Sequence, residues 1–79
     1  MPAYFFHLVD GQDLVLDPDG TQLNADRVEE YALLNARDCI AGDAKSGTVD
    51  LRYQLEVHDE AGEVVHRLAF ADAVKVVAD

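Results

Sequence analysis

Tryptophan is absent, cysteine occurs once, proline twice and lysine or arginine only six times in 79 residues. Each shortage excludes something. A lone cysteine, Cys39, cannot close an internal disulfide, and no other soft ligand stands near it at metal-site spacing. Six bases against sixteen acids leave a net charge of -10, which repels phosphate backbones and anionic lipid. Neither nucleic acid nor a membrane is therefore an expected partner, and no apolar run approaches the length that spans a bilayer. No basic segment precedes the first apolar run and Asp10 interrupts it, so no secretory leader is expected and cytoplasmic residence is the default.

Catalytic signatures are missing too. The chain has no phosphate-cradling glycine loop and no nucleophile elbow, and its cysteine falls on an apolar helix stripe. Neighbouring acids such as Glu29-Glu30 and Asp59-Glu60 are what sixteen acids on a small surface produce. The segment "DPDGTQ" shares alternate acids with a calcium loop, but Gly20 is not at the sixth position and no bidentate acid follows at the required place. His7, His58 and His66 form neither an H-x-H nor an H-x-x-x-H pair. No catalytic residue, cofactor or metal ligand is assigned, and the chain reads as non-enzymatic.

What is present is periodic. Ala3 to Val9 alternates with period two, Tyr4, Phe6 and Leu8 on one side and Phe5, His7 and Val9 on the other, which describes a central strand. Asp10 to Asp13 supplies a turn and Leu14 to Leu16 a short return strand, broken by Pro18 and Gly20 into a loop. From Ala25 to about Ala44 the spacing becomes helical, with Val28, Ala32, Ala36, Cys39 and Ile40 on one stripe and Leu34 opposite. Asp26 with Glu29 has capping-box spacing, Asn24 is a rival cap, and Gly47 is the expected stop. Leu51, Tyr53, Leu55 and Val57 alternate with Arg52, Gln54, Glu56 and His58 in a half-buried strand. "HDEAGE" turns the chain, with Gly62 free for positive φ, and Val64 to Phe70 returns as a fourth strand. The tail from Ala71 fits a helical turn or an edge strand.

The whole of 1–79 is thus one small α+β domain, ββαββ, for which one hydrophobic core suffices. A right-handed crossover through the helix gives an antiparallel sheet of order 2-1-3-4 with the helix on one face. Leu51, Tyr53, Leu55 and Val57 are expected in the core with Val28, Ala32, Ala36 and Ile40. The opposite face has no element to cover it, and it receives Phe5, His7, Val9, Arg52, Gln54, Glu56 and His58. There Glu56 would favour a charged His7, whereas burial by Phe5 and Val9 would favour a neutral one. A sheet displaying one phenylalanine without a basic rim does not suit RNA. It suits a protein partner or a second copy of the chain, with Phe5, His7, Val9, Arg52 and Glu56 as the candidate interface.

"PAYFFHLVDG", with the later "VHDEAGEVV" and "LAFADAV", resembles a family of short bacterial proteins, mostly alphaproteobacterial, known as a domain of unknown function. The resemblance covers nearly the whole chain. Its motif is met by Tyr4, Phe5, Phe6, His7, Leu8, Asp10 and Gly11, and it implies a stand-alone cytoplasmic domain without an assigned activity. The helix "EEYALLNARDCI" after a strand pair also resembles the HicB type of antitoxin, whose acidity suits a basic toxin. The Gly-Gly-Tyr hairpin and the Pro-Gly-Cys stretch of that pattern are lacking here. The sequence therefore favours an interaction module, self-associating through its open face or an edge strand, over a small-ligand or metal-binding domain or a HicB-like regulator.

Overall fold

The computed structural model describes residues 1–78. Its elements are β1 (Ala3–Val9), β2 (Leu14–Val15), β3 (Thr21–Gln22), a 3₁₀ turn (Ala25–Arg27), α1 (Val28–Lys45), β4 (Gln54–His58), β5 (Val64–Ala69) and α2 (Phe70–Ala73). The fold is α+β. An antiparallel sheet of order β2-β1-β4-β5, with β3 also paired to β1, carries α1 on one face. With β4 and β5 as the expected third and fourth strands, this is the order that the crossover rule implies.

The most apolar strand is central, and alternation divides its side chains between the two faces. Tyr4 and Phe6 are buried with Val28, Ala32 and Ala36 of α1, Leu55 and Val57 of β4, and Phe70 and Ala73 of α2. Alanines at the middle of the stripe let the helix backbone approach the sheet closely, so Phe6 meets Tyr31 with ring centroids 4.9 Å apart. Ile40, Cys39, Leu51 and Tyr53 are only partly buried at the rim of this core. Cys39 sits 3.6 Å from Asn35 Oδ1, and burial raises its thiol pKa, the character of a packing residue.

Several boundaries differ from expectation for identifiable reasons. β4 begins at Gln54, not Leu51, because β1 ends in the turn at Asp10 and Val9↔Gln54 is the last pair that β1 offers. The helix starts through the 3₁₀ turn, where Arg27 N–H donates to Asn24 O at 3.0 Å, and neither the capping box nor the Asn24 side chain caps it. Gly47, at φ 93, follows the helix end as expected. Phe70 leaves the fourth strand to open α2: its N–H donates to Tyr53 O at 3.0 Å, and Arg37 Nε holds Ala73 O at 2.8 Å. The tail thus begins as a helical turn.

The loop after β2 is not wholly a loop. β1 pairs with Val15 at Leu8 and again with Thr21 at Tyr4, so β2 and β3 are two halves of one edge strand. Between those pairs β1 has Phe5, Phe6 and His7, whereas the edge strand has Leu16, Asp17, Pro18, Asp19 and Gly20. Five residues oppose three, and the surplus two must bulge away from the ladder.

Candidate functional site

The bulge and the face without a helix meet at His7. Phe5↔His58, His7↔Glu56 and Val9↔Gln54 are direct partners across β1 and β4, which puts all six on this face. Glu56↔Arg67 extends the row to β5, and Val9↔Leu14 extends it to β2. Phe5, His7, Val9, Glu56 and His58 are each partly buried, while Leu14 remains 59% exposed.

Charges on the face are already paired. Glu56 Oε1 lies 2.7 Å from His58 Nε2 and Oε2 lies 3.3 Å from Arg67 Nε. These contacts lower the Glu56 pKa, the His58 hydrogen bond more than Arg67. His7 faces Glu56 along the ladder, yet that carboxylate is committed elsewhere. The His7 ring instead stands edge-on to His58 at 4.7 Å and stacks toward Phe5 at 6.3 Å. Burial and the neighbouring His58 lower its pKa, against the opposing pull of Asp17 and Glu56. The neutral ring is therefore the ordinary form at neutral pH.

Asp17 is the residue that sequence reasoning missed. Its backbone N–H donates to His7 Nδ1 at 3.0 Å, while its carboxylate accepts from Phe6 N–H at 3.2 Å. The other carboxylate oxygen accepts from Asp19 and Gly20 N–H at 3.4 and 3.2 Å, which is an Asx-type turn closed by the glycine. Gly20 has φ 71, and a Cβ there would come within 2.9 Å of the Phe5 ring. Only a glycine lets the bulge lie on Phe5. The face expected to be bare thus has a partial cover, made by a five-residue segment that holds no secondary structure of its own.

Arg52 is apart from this cluster. It precedes β4, its guanidinium is held by Asp50 at 2.9 and 2.8 Å, and its side chain is 83% exposed beside the Asp10–Asp13 turn. That pairing lowers the Asp50 pKa to about 2. The structure therefore brings together Phe5, His7, Val9 and Glu56 of the candidate interface and leaves Arg52 out, since a side chain beyond the last pair has no fixed face. Arg67 and His58 complete the group. Strand alternation could have supplied Arg67, directly opposite Glu56.

Among the described residues no group of three or more His, Cys, Asp or Glu side chains is arranged to hold a metal ion. No described helix is long and apolar enough to cross a membrane. A hollow of about 280 Å³ lies between the N-terminus and α1, lined in part by Met1, Leu23, Arg27, Tyr31 and Leu34, and shares no residue with the His7 cluster.

The architecture defines a small α+β domain with one helix-covered face and one polar-apolar face lightly covered by an edge bulge. The chain belongs to the DUF6894 family, a domain of unknown function, whose model matches residues 3–71. No curated protein and no solved structure matches the chain.

Proposed function

We propose that the chain is a non-enzymatic interaction module that self-associates through the face bearing Phe5, His7, Val9 and Leu14. The observation that supports this is an apolar pair, Val9 and the exposed Leu14, with the half-buried Phe5 beyond His7 on the same strand, on a face no helix covers and beside charges that are paired within the chain. Apolar groups of this kind gain by leaving water, and the prior pairing of Glu56 with His58 and Arg67 reduces the desolvation that contact would impose. A two-fold arrangement would set one such surface against another.

A metal-binding reading has less support. The His7 nitrogen facing the bulge accepts a backbone N–H, and the His58 nitrogen facing the strand is bound to Glu56, so two of the ring positions a metal would need are occupied. Sedimentation of the wild type with and without added zinc is expected to give one mass. Phe5→Glu and Leu14→Arg should each lower the sedimenting mass to that of the monomer with the circular dichroism of the fold retained. The second variant spares the bulge contact. A wild type that stays monomeric at every accessible concentration removes this reading.

A further inference from the structure

The hydrogen bonds between β1 and its edge strand change character at one rung. Asp10 N–H donates to Asp13 O at 3.0 Å and Leu8 pairs with Val15, so the next rung of an antiparallel ladder falls between Phe6 and Asp17. Backbone would bond to backbone there in a regular strand. Here the Asp17 carboxylate takes the Phe6 N–H, and His7 Nδ1 takes the Asp17 N–H. The surplus residues of the bulge have displaced the Asp17 peptide, and two side chains make the bonds in its place.

An imidazole nitrogen that accepts an N–H carries no proton, so the ring's hydrogen is on Nε2. Protonating the ring can only occur at Nδ1, where the new hydrogen would oppose the Asp17 N–H across 3.0 Å. That contact is available to the neutral ring alone.

We propose that His7 is a pH-operated latch, whose neutral ring seats the Leu16–Gly20 bulge on the sheet and whose protonation releases it. The groups facing the ring are the Asp17 carboxylate on the bulge, and Glu56 and His58 on β4, with Arg67 of β5 reaching Glu56. The two carboxylates attract a charged ring, but the Asp17 oxygens are engaged by three backbone N–H groups and the Glu56 oxygens by His58 and Arg67. His58 repels it. Release would uncover the Phe5 ring and free the Phe6 N–H, altering the association face; this consequence rests on the reading given above, whereas the latch belongs to the single chain.

The experiment is nitrogen-15 NMR of the dilute full chain from about pH 8 to about pH 5, a range in which histidines titrate and most carboxylates stay charged. His7 should be the Nε2–H tautomer at the upper end. The Phe6, Asp17 and Gly20 amide signals should move with the His7 midpoint, and Asp17 amide protection should fall about tenfold, as expected for one lost hydrogen bond. His7→Gln supplies an amide oxygen that accepts without titrating, so the bulge amides should be flat with pH in that variant. An Nδ1–H tautomer at high pH, bulge amides indifferent to His7, or the same pH response in His7→Gln would each overturn the latch. A chain that is monomeric throughout but shows the linked titration keeps the latch and loses the association reading. An associating chain without the linkage does the reverse.

Discussion

Consecutive residues of β1 belong to two different environments. Phe6 and Tyr4 face α1 in a core that contains no buried polar residue among the described ones, while Phe5 and His7, each one residue away, face a mosaic of rings, paired charges and bulge backbone. The covered face is held by volume: small alanines on the helix, large side chains on the sheet. The other is held by direction, through hydrogen bonds that fix where each group points. Apolar packing tolerates a change of shape poorly but is indifferent to pH, whereas a directional network is inexpensive to lose and responds to protons.

Single substitutions on the two faces should separate these two kinds of support. Leu55, fully buried on β4, should cost about 2–5 kcal/mol on replacement by Ala, a large share of what a domain this small possesses. Urea unfolding measures it. Gly20→Ala should come next: it forces an L side chain into positive φ and drives a Cβ against Phe5, an effect of about 1–3 kcal/mol confined to the open face. Its loss should be relieved in part by also shortening Phe5 to Ala, because the closest contact is with that ring, whereas the approach to Tyr4 O and the strain of positive φ remain. Leu14→Ala, on a leucine that is 59% exposed, should change monomer stability by no more than about 0.5 kcal/mol.

The pH response sharpens the same contrast. His7 has a folded pKa below the ordinary 6.5, so the unfolded chain binds a proton more readily than the folded one. Stability should therefore decline as pH falls through the window just below 6.5, and His7→Gln should remove that part of the decline while leaving the loss at carboxylate pH. A decline unchanged in His7→Gln would place its source elsewhere in the chain.

Much of the fold is legible in the sequence because it follows from period. The strict alternation from Leu55 to His58 names the buried and open sides of β4, and Val28, Ala32 and Ala36 name the helix face. The crossover rule then orders the sheet. Leu51 and Tyr53 obey the same alternation but lie outside β4, since a pattern shows which side a residue would take and not whether a partner strand is there to receive it. Two-residue strands such as Thr21–Gln22 have no period at all. The site was legible only in part: Phe5, His7, Val9 and Glu56 share a face by alternation, whereas the contact between His7 and Asp17 depends on a mismatch of two residues between paired strands. That mismatch is settled where Thr21 rejoins Tyr4: "LDPDG" encodes the local turn at Asp17 and Gly20, but not the register at which the chain returns.

Phe70 has a consequence for how the chain comes into being. The core joins Tyr4 and Phe6 at the beginning of the chain to Leu55 and Val57 beyond its middle, and Phe70 and Ala73 close its end against Tyr53 and Arg37. Such distant pairings make folding slow, because long loops must be closed before any burial rewards them. During synthesis α1 can form and set its Tyr31 against Phe6 before β4 is made, but the core stays open until Leu55 and Val57 join it. The seal at Phe70 comes later still. For that interval the apolar side chains of the unfinished core remain partly in water, the condition in which a chain is most open to aggregation.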